Sequence, residues 1–313
     1  MRILSRSLCS VPIACLCVLS AWGCSSKKTP PVRPEVAAQP VDPSAFRFSD
    51  VTQAAGINYK WTIAGARPLN ILQTIGNGCA FLDYNNDGNL DILLVGPQLA
   101  LYRGDGKGHF IDVTQSVGLD KLKGHWLGCA VGDYDNDGFD DIYLTAYRGG
   151  ALLHNEGGKR FRDVTAASGI PPQPWATSAA FVDVNNDGLL DLFICDYVKF
   201  GPHTKPQLCP YTGLMSACGP RFYDPEKGRL YINLGGGRFK DASSQWGVTS
   251  SSGVQGKDLG VACADFDGSG RQSVAVANDE VAGDLLQNMG GKFSNVGTSS
   301  GTAFDTDGNV HGG

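Results

Sequence analysis

Short runs of apolar residues, separated by Gly, Asp and Asn, recur along the chain from residue 79 onward. In the first such stretch they predict four strands: Cys79–Leu82, Leu90–Val95, Leu99–Arg103 and His109–Val113. Four strands of this length form a small antiparallel sheet that cannot bury both of its faces by itself. Because such sheets bury their faces by stacking around an axis, the pattern predicts an all-β fold of the propeller type.

A nine-residue polar loop repeats in phase with these strands, starting with Asp and carrying Gly at its sixth position. The four copies are Asp83–Asp91, Asp133–Asp141, Asp183–Asp191 and Asp265–Ser273. The longer last interval accommodates an insertion at 198–229. A second motif, FIDVTQSVGL at Phe110–Leu119, has counterparts that begin at Phe46, Phe161, Phe239 and, in degraded form, Phe293.

The two motifs together resemble the FG-GAP or VCBS repeats of integrin-type β-propellers, and more closely the bacterial relatives of cartilage acidic protein. The resemblance covers residues 46 to about 310 and implies a β-propeller of FG-GAP/VCBS repeats. Such propellers usually have seven blades and precede an ASPIC/UnbV domain, whereas this sequence supplies about four complete blades and no such domain. We therefore expect a truncated product that forms part of a seven-bladed ring. A compact, smaller propeller is the alternative.

Oxygen-bearing side chains occupy positions 1, 3, 5 and 9 of the loops, and the Gly at position 6 permits a sharp turn. With the carbonyl at position 7 they suit Ca²⁺, whereas an EF-hand needs Glu at position 12 and these loops have Leu, Leu, Ile and Val there. We expect three to four structural ions, bound most weakly by the last loop; the alternative is Asp/Asn-Gly turns that bind no ion. The predicted metal ligands are Asp83, Asn85, Asp87, Asn89, Asp91, Asp133, Asp135, Asp137, Phe139, Asp141, Asp183, Asn185, Asp187, Leu189, Asp191, Asp265, Asp267, Ser269 and Ser273.

The N-terminus predicts export. Two arginines precede the apolar run Leu8–Leu19, which is too short to span a membrane, so residues 1–23 are expected to be a signal peptide. The pattern resembles a bacterial lipoprotein signal, which would leave Cys24 as the first, lipidated residue; ordinary secretion with a free Cys24 is the alternative. Residues 24–45 predict a Pro-rich tether and 46–313 the propeller. We expect the protein to be a membrane-anchored lipoprotein that is located in the periplasm or on the cell surface.

The charge restricts the class of partner, and the positions of the cysteines indicate which of them pair and which are buried. The net charge of −5 and the absence of basic clusters argue against nucleic-acid binding. Cys209 and Cys218 flank a short Pro/Gly-containing stretch and are expected to form a disulfide in an oxidising compartment. The other cysteines of the folded part lie in apolar runs and are expected to be buried thiols: Cys79, Cys129, Cys195 and Cys263.

Residues just beyond each loop's outgoing strand differ between repeats, while the scaffold repeats. They predict a ligand-binding patch, with strand-end packing as the alternative: Tyr147, Asp196, Tyr197, Asn278 and Asp279. The favoured function is a calcium-stabilised cell-surface module that binds a protein or a glycan. A metal-dependent hydrolase or lyase that uses a loop Asp as base is the second class, and an inactive fragment is the third.

Other short motifs carry little weight. Gly297–Gly301 matches the G-x-S-x-G nucleophile motif without its structural context, and Arg103–Asp105 matches the Arg-Gly-Asp tripeptide within a turn common to the repeats. The histidines lack paired metal-ligand spacing and are expected at the surface or in loops.

Overall fold

The computed structural model describes residues 48–63, 65, 67–249 and 253–310. The chain divides into Met1–Ser49 and a compact unit, Asp50–Gly313. The predicted signal peptide, Cys24 and the tether lie outside the described residues. Among the residues that are described, no helix is both long and apolar enough to cross a bilayer.

Antiparallel strands dominate the structure, and helical segments are single turns. The strands are β1 (Cys79–Leu82), β2 (Asp91–Leu94), β3 (Ala100–Gly104), β4 (Phe110–Asp112), β5 (His125–Gly132), β6 (Asp141–Gly149), β7 (Ala151–Asn155), β8 (Phe161–Asp163), β9 (Gln173–Val182), β10 (Asp191–Asp196), β11 (Leu208–Tyr211), β12 (Leu214–Ala217), β13 (Arg229–Asn233), β14 (Phe239–Asp241), β15 (Asp258–Ala264), β16 (Ser273–Asn278), β17 (Asp284–Asn288) and β18 (Phe293–Asn295). The helical turns are α1 (Ile71–Thr74), α2 (Thr165–Ser168), α3 (Gly297–Ser300) and two 3₁₀ turns, Leu119–Lys121 and Pro220–Phe222.

The main strands form four consecutive units of four. Unit 1 is β1-β2-β3-β4, unit 2 is β5-β6-β7-β8, unit 3 is β9-β10-β13-β14 and unit 4 is β15-β16-β17-β18. Units 2 and 3 also share hydrogen bonds, because the long strands β6 and β9 extend beyond their own units and pair at Tyr147–Trp175 and Gly149–Gln173. Unit 1 confirms the four strands predicted from the apolar pattern, with ends shifted by at most one residue.

The hydrophobic core lies between neighbouring units. Leu93 of unit 1 and Leu144 of unit 2 belong to one buried cluster, and Phe193 of unit 3 and Val274 of unit 4 belong to another. Each sheet therefore buries a face against the next sheet, as the stacking argument requires. The prediction of an all-β, propeller-like fold is confirmed.

The insertion between β10 and β13 contains the hairpin β11-β12, closed by a disulfide between Cys209 and Cys218 with a Cα–Cα distance of 5.0 Å. Its two-residue turn places Thr212 at φ 45° and Gly213 at φ 84°, as a type I′ turn requires. Cys195 is buried as predicted and Cys129 and Cys263 are only partly buried, but burial was the wrong expectation for Cys79. The alternation of β1 directs Cys79 to the solvent side and Leu82 to the core.

Candidate functional site

Each polar loop connects the first two strands of its unit and folds around the Asp at position 1. In the first loop, Asp83 Oδ1 accepts a hydrogen bond from the Asp87 N–H (3.1 Å), and Oδ2 accepts one from the Gly88 N–H (2.8 Å). The other three loops repeat this pair of bonds at Asp133, Asp183 and Asp265. The carboxylate at position 1 therefore organises the backbone of all four loops.

The loops are also joined to one another by the Asn at position 4, which is in the left-handed region that Asn tolerates. We call Asn86, Asn136 and Asn186 the rim asparagines; their φ angles are 53°, 60° and 57°. Each side-chain amide donates to the Gly carbonyl at position 6 of the next loop. The acceptors, at 2.6, 2.9 and 3.1 Å, are Gly138, Gly188 and Gly270.

The Asp at position 9 connects each loop to the third strand of its unit. Asp141 is fully buried; its Oδ2 accepts from the Tyr134 N–H (3.3 Å) and its Oδ1 from the Asn155 N–H (2.7 Å). Asp91 and Asp191 make the equivalent bonds. Burial raises the pKa of Asp141 to about 8 and that of Asp191 to about 6. Position 9 thus has a structural role that the sequence reasoning, which assigned it to a metal, did not anticipate.

A second set of asparagines crosses the boundaries between units. We call Asn155, Asn233 and Asn288, at the ends of β7, β13 and β17, the seam asparagines; all three are buried. Each amide donates to the position-2 carbonyl of the preceding unit's loop and to the position-8 carbonyl of its own loop. These bonds are 2.7–3.0 Å long. Unit 1 has Gly104 at the corresponding place.

The second loop concentrates the most carboxylates. Asp133, Asp135 and Asp141 can each offer a carboxylate oxygen to a point where these atoms lie within 4.8 Å of one another. Asp135 Oδ1 is buried and has no hydrogen-bond partner among the described residues. Burial is the main cause that raises the pKa of Asp135, and the neighbouring Asp137 raises it further. Carboxylates in this arrangement repel one another unless a cation lies between them.

His154 adds a nitrogen to this group. Its Nδ1 lies 3.2 Å from Asp135 Oδ2 and 3.4 Å from Asp141 Oδ1. Because His154 is a half-buried residue of β7, the expectation of a surface or loop histidine was wrong there. Side chains alternate along β7, so the sequence could have indicated that His154 lies on the face of the sheet opposite to Leu153 and Asn155. His311 lies outside the described residues.

The remaining loops differ in how many oxygen atoms are free. Asn85 Oδ1 is buried without a partner in the described part of the chain, whereas Asn185 Oδ1 accepts the Asp187 N–H (3.0 Å). In the last loop the two Asp267 oxygens accept from the Ser269 N–H and the Gln287 amide. Both oxygens of Asp267 thus already have donors, one from the loop and one from β17, which matches the expectation of weakest ion binding without testing it.

Other predicted ligands occupy defined places in the loops. Position 7 donates its backbone N–H to the position-5 carboxylate at 2.9 Å in three loops, through Asn89, Phe139 and Leu189. Ser273 Oγ takes the place of the position-9 carboxylate and accepts the Asn288 N–H at 3.1 Å. The side-chain amide of Asn89 also donates to Asp87, whose pKa is lowered chiefly by its hydrogen bond from Asn85.

The predicted ligand patch does not form one surface. Tyr197 Oη donates to Asp279 Oδ2 (2.5 Å), and Tyr147 packs edge-on against Trp175 with ring centroids 5.5 Å apart. Asp196 and Asn278, in contrast, are almost completely buried. Tyr197 and Asp279 are therefore adjacent, but three members of the predicted set are buried: Asp196, Tyr197 and Asn278.

Asp196 occupies a buried electrostatic site of its own. Its Oδ2 lies 3.8 Å from Arg229 Nε, and its Oδ1 accepts a long hydrogen bond from the Trp175 N–H (3.4 Å). Burial raises the pKa of Asp196 to about 7, which outweighs the opposing effect of Arg229. The side chain thus makes its polar contacts inside unit 3 and is not presented to a ligand.

Tyr197 and Asp279 line a cleft of about 670 Å³ beside the disulfide hairpin. Tyr211 lies at its hairpin side and is 72% exposed. The backbone N–H of Arg221 donates to Glu280 Oε2 (3.2 Å), and both residues also line the cleft. Aromatic, acidic and basic groups therefore meet in one open cleft of the size that small ligands occupy.

The remaining sequence motifs do not form catalytic groups. Ser299 lies inside the one-turn helix α3, where its hydroxyl donates to the Val296 carbonyl (3.0 Å). Arg103 belongs to β3, and Asp105 accepts backbone N–H bonds within the following turn.

Comparison with known proteins is consistent with this geometry. A model of an FG-GAP-like repeat matches residues 83–144 and 133–194, and each match contains two consecutive polar loops. No curated protein matches the chain. The chain therefore contains FG-GAP-like repeats in a β-propeller-like fold.

Two solved structures show a distant likeness. One concerns specific recognition of non-reducing terminal N-acetylglucosamine by an Agrocybe aegerita lectin; it has 17% identity and a TM-score of 0.39, and the match covers 69% of this chain and 50% of that chain. The other is the Photorhabdus luminescens Tc holotoxin pore, with 18% identity, a TM-score of 0.35 and coverage of 71% and 9%. The chain thus spans half the length of the first structure and a small part of the second.

Proposed function

We propose that this protein is a calcium-binding, cell-surface propeller module that binds a protein or a glycan and is held at a membrane through a lipid on Cys24. The observation that carries the proposal is the second loop, where Asp135 Oδ1 is buried without a hydrogen bond beside Asp133 and Asp141. A buried carboxylate oxygen without a hydrogen bond is costly, and hard oxygen ligands favour Ca²⁺ over softer metals.

The other loops support the same interpretation to different degrees. The first loop has an unpaired Asn85 Oδ1, and the third has the same Asp, Asn and Asp side chains at positions 1, 3 and 5. In the last loop both Asp267 oxygens already have donors, and the loop has only two carboxylates. We expect three ions, with a fourth only at high calcium concentration. The four units are then about four blades of a larger ring.

A melting experiment with and without calcium tests the proposal. At affinities of about 10⁻⁴–10⁻³ M, calcium at ten times Kd adds about 1.4 kcal/mol of stability for each site. The full chain should therefore melt at a higher temperature in calcium than in chelator, while magnesium at the same concentration should give a smaller rise. An unchanged melting temperature contradicts the proposal.

The variant Asp135→Asn sharpens this test because its effect on the melting temperature should differ in sign between chelator and calcium. In chelator the variant should equal or exceed the wild-type melting temperature, since one repelling charge is lost. In calcium it should melt below wild type, since one ligand charge is lost. Asp120→Asn is the matched control: Asp120 is exposed and lies outside the loops, so neither melting temperature should change. Calorimetric titration would count the ions.

Ligand binding is proposed for the cleft that Tyr197 and Asp279 line. It contains an exposed aromatic ring at Tyr211, and the disulfide restricts the movement of its hairpin wall, which lowers the entropy cost of binding. Membrane attachment is tested separately: Cys24→Ser should abolish incorporation of labelled fatty acid and release the protein from the membrane fraction.

A further inference from the structure

A second, smaller pocket contains no residue of the polar loops, and Ile75 lines both this pocket and the cleft. It has a volume of about 220 Å³ and opens between the segment that precedes α1 and the beginning of β5. Trp61 and Trp126 line it together with the aliphatic side chains of Leu72 and Ile75. Trp61 is 45% exposed, so a large part of its indole is accessible. No Asp, Glu, Lys or Arg is among the described residues that line the pocket.

The aromatic walls are held in place before any ligand binds. Trp61 Nε1 donates to Asn77 Oδ1, and Asn77 Nδ2 donates to the Trp126 carbonyl (2.8 Å). Glycines leave room for both rings: a Cβ on Gly96 would lie 3.2 Å from Trp61 Cδ1, and one on Gly124 would lie 2.6 Å from the Trp126 ring. Such fixed walls lower the entropy cost of binding.

Polar groups in the pocket remain available for a ligand. The imidazole of His125 and the hydroxyl of Thr62 both line it, and neither has a hydrogen-bond partner within the described part of the chain. Burial lowers the pKa of His125, which favours the neutral ring with its one donor and one acceptor. The imidazole also packs edge-on against the Tyr147 ring, with ring centroids 6.1 Å apart, which restricts the orientation of the imidazole.

We propose that this pocket binds a neutral sugar ring, with its C–H face on the Trp61 indole and its hydroxyls on His125 and Thr62. A purely apolar ligand would displace water from these exposed polar groups without replacing its hydrogen bonds, which is costly. A charged ligand would find no opposite charge among the described lining residues. The proposal rests on the glycan-binding form of the proposed function, and names a site and a ligand class for it.

Saturation-transfer NMR on the full chain in calcium buffer tests the proposal. The probes are the methyl glycosides of glucose, galactose and mannose, with gluconate, glucosamine and phenol as anionic, cationic and apolar comparisons. At least one neutral glycoside should receive saturation, and gluconate and glucosamine should not. Trp61→Ala should weaken binding of that glycoside about tenfold, since an aromatic contact of this kind is worth about 1.4 kcal/mol. His125→Phe keeps the ring but should also weaken binding.

Phe81→Ala is the matched control, because Phe81 is an aromatic residue of β1 that is 65% exposed and does not line the pocket. Its binding should equal that of wild type. The proposal is overturned if no neutral glycoside binds, if phenol alone binds, or if Trp61→Ala and His125→Phe both bind as wild type does. Melting the same samples with and without calcium separates this result from the calcium proposal, because a calcium-dependent rise without sugar binding rejects the pocket alone.

Discussion

Replacement of the seam asparagine Asn233 by Ala should destabilise the fold strongly. The Asn233 side chain is 2% exposed, and its amide donates to the carbonyls of Tyr134 (2.8 Å) and Leu190 (2.9 Å). Its Oδ1 accepts the Gly235 N–H (2.9 Å). Asn233→Ala therefore removes three hydrogen bonds and leaves two carbonyls and one N–H without their partner. At about 1 kcal/mol for each bond, with an added penalty for orphaned buried groups, we expect a loss of about 3 kcal/mol.

Urea denaturation at fixed calcium concentration, followed by tryptophan fluorescence, measures this loss. Asn233→Asp keeps the acceptor for Gly235 but directs a carboxylate at two carbonyls, so it should be at least as destabilising as Ala. The control is Asn86→Ala, at an exposed rim asparagine with one bond across the boundary, and its loss should be below about 1 kcal/mol. The reasoning is refuted if Asn233→Ala is within about 0.5 kcal/mol of wild type, the range of ordinary surface substitutions.

Three further predictions concern other parts of the structure. Asp196 has a folded-state pKa of about 7 against a reference of 3.8, so its neutral form stabilises the fold below about pH 4 and this contribution is lost as the pH rises towards 7. Asp196→Asn should remove up to about 4 kcal/mol of that pH dependence, measured as the wild-type-minus-variant difference in unfolding free energy; parallel pH profiles would contradict it. Replacing both Cys209 and Cys218 by Ser should speed limited proteolysis within 198–229 and lower stability by about 2–3 kcal/mol if the hairpin unfolds with the rest; equal cleavage rates would show that the bond constrains nothing. Gly228→Ala would place a Cβ 2.7 Å from Asp258 Oδ2 and should cost about 1–3 kcal/mol in thermal unfolding, whereas an unchanged melting temperature would show that the backbone there can move.

The strands and their order could be predicted from sequence because they depend on local patterns. Apolar runs of four to six residues, bounded by Gly and Asx turns, located every strand of unit 1. The stacking of units followed from the inability of a single sheet to bury both faces. The hydrogen bonds between β6 and β9 were not predicted, because they depend on how far two strands extend beyond their own units.

The contacts across the unit boundaries could not be predicted in the same way. Asn233 lies 99 residues from the Tyr134 carbonyl that it binds, and Asn288 lies 104 residues from that of Val184. No local pattern specifies such a pair. A signal was nevertheless present, since Asn recurs at the end of the third strand in units 2, 3 and 4.

The ligand patch shows how counting along a strand fails. The prediction took residues five and six places beyond position 9 of each loop. Every residue of β10, up to and including Asp196, is buried, because side chains on both of its faces belong to hydrophobic clusters shared with the neighbouring units. Counting along the sequence therefore does not show which strand ends are exposed. Asp279 follows β16 and therefore remained accessible to the cleft.

The direction of the seam contacts sets rules for rearranging the repeats. In each contact the later unit supplies the asparagine side chain and the earlier unit supplies only a main-chain carbonyl oxygen. The residue that carries this carbonyl is Tyr84, Tyr134 or Val184, so its side chain can vary. Units 2, 3 and 4 thus each supply the asparagine that binds the preceding unit. This contact places no requirement on the side chains of the preceding repeat in a chimaera or a shuffled array. Unit 1 could not be moved to an internal place so simply, because a side chain at Gly104 would meet the Leu90 carbonyl at 2.3 Å.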